Sequence, residues 1–276
     1  MNEFGIIGLA ILLVTFLVSY RGFKDPTFLD RYSFTVKDIR YGHQYYRLVT
    51  SGFLHVGWWH LGFNALTLYS FSSGLEALMG YGNFLLIYGA SLVGGNLLAL
   101  LLHRHDSNYS AVGASGAISG IIFATIALDP SVPLSIPFTG IWLPGWLWGM
   151  IYVVLSAYGI TVRRDNIGHE AHLGGGLVGL LTVLGLYPVL LRANYLGILA
   201  ILGPALAFFY LLWRKPDALL VRSLFRSPTY QTVDDRYNSQ LRQQEEELDR
   251  LLDKISRQGI ESLSTREKKK LEELSR

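Results

Sequence analysis

Residues 113–128 read Gly-Ala-Ser-Gly-Ala-Ile-Ser-Gly-Ile-Ile-Phe-Ala-Thr-Ile-Ala-Leu, a 16-residue run without a charge. As a helix rising about 1.5 Å per residue it spans roughly 24 Å, short of the roughly 30 Å hydrocarbon core of a bilayer. Its nucleophilic atom sits at its start. Ser115 lies between Gly113 and Gly116, and glycines there permit a tight turn with close backbone approach, leaving the hydroxyl accessible. A short helix also lets water reach a site sunk below the membrane surface.

Working outward, uncharged runs near the length a span requires recur on both sides: Phe4–Tyr20, Val56–Leu75, Asn83–Leu102, Pro144–Thr161, His172–Leu190 and Tyr195–Trp213. Together with 113–128 they make seven candidate spans. Of the 276 residues 50% are hydrophobic and 16% charged, which reads as an all-α membrane protein. The first run lacks a basic n-region, and Val18-Ser19-Tyr20 is a poor small-residue cleavage site, so it reads as a helix and not a signal peptide. Arg214, Lys215 and Pro216 close the last run. Residues 214–276 form a polar soluble tail in which Leu241, Leu248, Leu251, Leu252 and Ile255 recur at helical spacing. Ser264 with Glu267 fits a capping box, so a small helical hairpin is expected there.

The formal net charge is +3, with Lys and Arg scattered over loops and tail, which argues against a nucleic-acid partner. The chain has no cysteine, so a nucleophile must be Ser, Thr or a carboxylate. No cofactor is expected.

Polar groups inside apolar spans are expensive and mark candidate function. They fall in the second span (His60, Asn64), the fourth (Ser115) and the sixth (His172). Spans that alternate across a bilayer enter their even-numbered members from one face, so these residues lie at similar depth on one side. His60 and Asn64, at i,i+4, share a helical face. A Ser hydroxyl becomes an effective nucleophile when a neutral imidazole takes its proton; Ser115 and His172 supply that pair. His60, Asn64 and the Ser115 N–H are suitable donors to an oxyanion. No carboxylate stands at an obvious triad position, so a dyad is the economical reading. Gly175 and Gly179 lie on the face of the sixth span that carries His172, a small-xxx-small pattern that lets membrane helices pack closely and brings His172 to Ser115.

Each element has a blander reading. Gly-Ala-Ser-Gly is a common helix-packing motif, and His172, His60 and Asn64 could each be interhelical hydrogen-bonding residues. Their joint occurrence, in order on even spans, favours a shared site. Gly168-His169-Glu170-Ala171-His172 lacks the HExxH spacing of a metalloprotease helix; no metal site is expected, and His169 and Glu170 read as loop or interfacial residues. His55 reads as a structural histidine, and Trp58 and Trp59 suit an interfacial belt.

These residues resemble the rhomboid intramembrane proteases over approximately Tyr45 to Gly179. Tyr46-Arg47-Leu48-Val49-Thr50-Ser51-Gly52-Phe53-Leu54-His55, followed by His60 and Asn64, is similar to the family's loop and His/Asn helix. Gly113-Ala114-Ser115-Gly116 is similar to its GxSG motif, and Ala171-His172 with Gly175 and Gly179 to its base helix. Gly74, Glu76 and Gly80 resemble a structural motif ending its second core helix. The resemblance implies a six-helix core (1–190) that cleaves transmembrane segments of other proteins within the lipid bilayer. In it Ser115 is the nucleophile, His172 the base, and His60, Asn64 and the Ser115 amide hold the oxyanion. The seventh span (195–213) and the tail (214–276) resemble additions seen in some members. Rhomboids usually carry an aromatic residue four positions after the nucleophile, packed on the base; here that position is Ser119.

Arg21, Lys24, Arg31, Lys37, Arg40, Arg47, Arg104, Arg163, Arg164, Arg214 and Lys215 lie on the side where the even spans begin, and Arg192 on the other. The positive-inside rule places the first side in the cytoplasm. The resemblance instead implies a multi-pass protein of the bacterial cell membrane whose site opens away from the cytoplasm in most members. Two other classes fit parts of the sequence: a catalytically inactive rhomboid-like protein that binds transmembrane helices, for which Ser119 is the support, and a small-solute transporter. The transporter would carry more charge at mid-membrane.

Overall fold

The computed structural model describes residues 5–137, 139–162, 167–214, and 254, 255, 264 and 271. Apart from Lys254, Ile255, Ser264 and Leu271, the tail hairpin expected from Leu241 to Leu274 lies outside these residues. Those from 5 to 214 fall in one compact unit. In chain order the helices are α1 (Ile6–Lys24), α2 (Pro26–Tyr32), α3 (Val36–Arg40), α4 (Arg47–Thr50), α5 (Trp58–Leu102), α6 (Ser115–Leu128), α7 (Gly145–Val162), α8 (His169–Leu186), α9 (Leu190–Ala193) and α10 (Tyr195–Arg214). Two short antiparallel pairs join β1 (Phe34–Thr35) to β2 (Ser110–Ala111) and β3 (Pro133–Ser135) to β4 (Trp142–Pro144).

Among the described residues, α1, α5, α7 and α10 are long and apolar enough to cross a membrane by length and composition. Helix α5 carries 45 residues, about 68 Å as one straight helix, twice what a bilayer needs. At Gly80 its backbone leaves helical geometry (φ 79, ψ 163). Only glycine adopts that conformation without strain, and the break falls between the two runs read from the sequence as separate spans.

Helix α6, formed by the short uncharged run around Ser115, is the centre of the fold. It has 14 residues, and Gly116 through Ala124 are all buried, as are Ile126 and Ala127. A helix apolar all round is a helix covered on every side. The cover on one side is α8, and it is close because both helices present glycine. A Cβ at Gly175 would meet the Gly116 backbone, and one at Gly179 would lie 2.5 Å from Gly120 Cα. On its other flank α8 meets the second half of α5 in the same way, with a Cβ at Gly174 placed 3.0 Å from Gly95 Cα. The small-xxx-small reading of α8 thus holds, and it has a counterpart in Gly116 and Gly120 of α6.

Helix α1 packs on the first half of α5 through small residues: a Cβ at Gly8 would meet Ser72. Its first turn is tied there by Glu76, buried at 4% exposure, whose carboxylate accepts from Ile7 N (3.1 Å) and Gly8 N (2.7 Å). The first four amides of a helix have no intrahelical acceptor, and an anion beside them is favoured. The outer face of α1 leaves Leu9, Leu13, Phe16 and Leu17 exposed, the surface a bilayer would cover.

Candidate active site

The segment between α1 and α5 is folded as a brace. Arg47 is its hub, with Nη1 donating to the carbonyls of Asp30 (2.5 Å) and Ser33 (2.7 Å) and Nη2 pairing with Asp38 (3.1 Å). Arg47 is therefore a buried structural cation, so its weight in the topology count is smaller than a loop arginine's. The brace reaches the turn before Ser115 through Ser51, whose carbonyl accepts from Gly113 N at 3.0 Å. Asn96 holds the same turn, donating to Leu48 O and Ser51 Oγ.

Gly113 has φ 136, and a Cβ there would lie 2.9 Å from His60 Cε1 and 3.0 Å from His60 Nε2. The position therefore requires glycine twice over, for backbone conformation and for space. His60 consequently lies against the turn that presents Ser115, the first residue of α6. On the opposite side, His172 in the first turn of α8 brings Nε2 to 2.6 Å from Ser115 Oγ. Ser115, His172 and His60 thus converge at one point. Asn64 is buried one turn below His60, and Nδ2 donates to the His60 carbonyl at 2.9 Å.

His55, read as structural, is fully buried. Ser19 Oγ donates to Phe53 O (2.9 Å) and lies 3.0 Å from His55 Nδ1. The hydroxyl has one proton, so Nδ1 is the donor in the second contact. The His55 ring meets His60 edge-on at 4.7 Å. Burial, and then the neighbouring His60, hold His55 down from 6.5 to about 3, so it is a neutral support for His60.

Two expectations change. Glu170, read as a loop or interfacial residue with His169, is 4% exposed and bonds to His103 Nε2 at 2.8 Å. His169 stands in the first turn of α8 with its ring 6.3 Å from that of His172. Both are helical because α8 begins at His169, three residues before the run its hydropathy marks.

The residue that the sequence reading missed is Tyr152, on α7. Its ring lies 6.3 Å from the His172 imidazole at an interplanar angle of 22°, and its hydroxyl lies 2.6 Å from Ser119 Oγ. Ser119 donates to the Ser115 carbonyl at 2.8 Å, so it accepts from Tyr152. A lone tyrosine in an apolar run carries no motif; the one hint was Trp148 four residues earlier, on the same face.

Comparison with known proteins bears on this arrangement. The Rhomboid domain family model matches residues 42–189, and a family of unknown function matches 231–276. "Rhomboid protein 1, mitochondrial" of Saccharomyces cerevisiae is 31% identical over 157 residues, 56% of this chain and 45% of its own. "RHOMBOID-like protein 12, mitochondrial" of Arabidopsis thaliana is 28% identical over 188 residues, 63% of this chain and 55% of its own. "Rhomboid protease GluP" of Bacillus subtilis is 27% identical over 217 residues, 75% of this chain and 41% of its own. The chain spans about half the length of these curated relatives. Two of them carry mitochondrial names, so the comparisons do not single out a bacterial cell membrane. The domain match covers more than half of the 276 residues and takes in Ser115 and His172 alike: the chain belongs to the rhomboid family.

Proposed function

We propose that this chain is an intramembrane serine endopeptidase that cleaves transmembrane segments of other membrane proteins through a Ser115/His172 dyad. The observation that carries the reading is the 2.6 Å approach of His172 Nε2 to Ser115 Oγ at the start of the buried helix α6. In this reading neutral His172 accepts the Ser115 proton as Oγ attacks the scissile carbonyl carbon. The carbonyl oxygen takes the negative charge and the resulting imidazolium then protonates the leaving amine, which frees the first product. Water, deprotonated by the same imidazole, attacks the ester carbonyl, and the imidazolium gives that proton to Ser115 Oγ as the second product leaves.

The oxyanion faces the first turn of α6, where amides lack intrahelical acceptors and the helix dipole favours negative charge. The Ser115 N–H, His60 and the second proton of Asn64 Nδ2 are its donors. One such donor typically accounts for about 10²–10³ in rate. Helix α5 read as two spans meeting at Gly80, together with α1, α6, α7 and α8, gives a six-span core. Helix α10 is the seventh span, and 214–276 a soluble tail.

The test is reconstitution into liposomes with single-span proteins bearing helix-weakening residues. Cleavage that disappears in Ser115→Ala and His172→Ala supports the reading. Binding of those helices by wild-type protein without any cleavage would replace it with an inactive helix-binding protein.

A further inference from the structure

An imidazole that must take a proton from one atom and give it to another needs its plane held, and packing against the face of the ring is one way to hold it. The structure supplies such a surface. Tyr152 presents its ring to His172 at 6.3 Å and 22°, within the range of offset stacking. Tyr152 itself is fixed from three further directions. Trp148 stacks on it at 5.0 Å and 15°, Phe123 meets it edge-on at 5.6 Å, and Ser119 receives its hydroxyl at 2.6 Å.

Ser119 is the small partner in this arrangement. It occupies the position at which the family usually places an aromatic on the same helix as the nucleophile. A bulky side chain there would take the space the Tyr152 hydroxyl uses, so a small hydroxyl residue on α6 and a tyrosine on α7 form a complementary pair.

We infer that Tyr152 is a positioning residue for His172, supplying from α7 the aromatic surface that Ser119 does not supply from α6. This rests on the reading of His172 as the base. It also gives α7 a role beyond packing. A Cβ at Gly149 would lie 2.9 Å from Ile201 Cδ1 of α10, so α10, which lies outside the matched domain, reaches the base through α7 and Tyr152.

The test compares Tyr152→Leu, which keeps apolar bulk without the flat face, with Tyr152→Phe, which keeps the face without the hydroxyl. The first readout is the pH dependence of fluorophosphonate labelling at Ser115. The second, made in a Ser115→Ala background, is the rate at which diethyl pyrocarbonate modifies His172, followed by peptide mass spectrometry; it needs no activity.

Tyr152→Leu slows labelling about threefold to tenfold, as expected for one aromatic contact. It also moves the midpoint of the pH profile and makes His172 react faster with the reagent. Tyr152→Phe stays within about threefold of wild type on both readouts. Adding Ser119→Phe to Tyr152→Leu recovers part of the loss. A Tyr152→Leu protein of unchanged thermal stability with wild-type labelling, pH profile and His172 modification overturns the inference. If wild-type protein does not label at Ser115, the protease reading fails, and the His172 modification rates still decide the role of Tyr152: faster in Tyr152→Leu supports it, unchanged refutes it.

Discussion

Gly175→Ala changes one hydrogen to a methyl one turn below His172, and its consequence can be worked from the helix crossing. The added Cβ would lie 2.6 Å from Gly116 C and 3.0 Å from Gly116 Cα. Both are backbone atoms of α6, which no side-chain rotation can relieve. Gly116 O lies nearer still, so reaching ordinary contact at 3.4 Å requires α6 and α8 to separate by more than about 0.8 Å, the shift that Gly116 C alone demands. That shift, applied to the 2.6 Å approach of His172 Nε2 to Ser115 Oγ, carries it to about 3.4 Å, past a useful O–H···N hydrogen bond. A misplacement of about 1 Å costs roughly 10²-fold in rate, and overpacking costs about 1–3 kcal/mol in stability.

The control is Gly185→Ala on the same helix, where a Cβ meets nothing within 4 Å; it keeps the wild-type rate and stability or gains slightly in stability. The assay is the second-order rate of fluorophosphonate labelling in detergent, beside a thermal midpoint for each variant. A Gly175→Ala protein that labels at the wild-type rate would refute the claim that glycine contact between α6 and α8 sets the distance between serine and base.

Other outcomes follow from the supports around the site. His55 has a folded pKa of about 3 against 6.5 unfolded. The unfolded chain therefore binds the extra proton between those values, and the stability given by neutral His55 is complete above pH 6.5 and lost as pH falls through the window, by at most about 1.4 kcal/mol per unit. His55→Asn, which keeps a donor for Ser19, flattens the fall of the thermal midpoint between pH 6.5 and 4; an unchanged slope would show that other groups cause it. Glu76→Gln removes the anion from the first turn of α1 and one of its two acceptor oxygens, costing about 1 kcal/mol. Limited proteolysis should then cut ahead of α2 sooner, and an unaltered digest would contradict the tie. Glu170→Ala leaves buried His103 without its carboxylate and lowers stability by about 1–3 kcal/mol, read as a drop in thermal midpoint; no drop would mean that the pair is not structural.

Much of the membrane architecture was legible because it rests on long, repeated signals. Uncharged runs marked the helices, and Gly175 with Gly179 marked the face that packs on α6. The meeting of Ser115 and His172 was legible because polar atoms in apolar spans are costly and so stand out. What escaped notice has no period. The pairing of β1 with β2 involves two residues on each strand, too few for any alternation to show. Arg47 looked like a loop cation, since nothing in a sequence shows that a chain will fold its carbonyls around it. Glu170 was misread because its partner, His103, is 67 residues away. Tyr152 was invisible for a similar reason: Ser119 announced that an aromatic was missing from α6, but which of the many aromatics in other spans stands beside His172 is a matter of helix rotation, which hydropathy does not encode.

The claim at the centre of the account is that Ser115 is activated by His172. Labelling purified protein with a fluorophosphonate and mapping the modified peptide, beside Ser115→Ala and His172→Ala, tests it without any substrate. The account predicts one adduct on Ser115 in wild type and none in either variant. Folded wild-type protein that stays unmodified, or an adduct that survives His172→Ala at the wild-type rate, would contradict it.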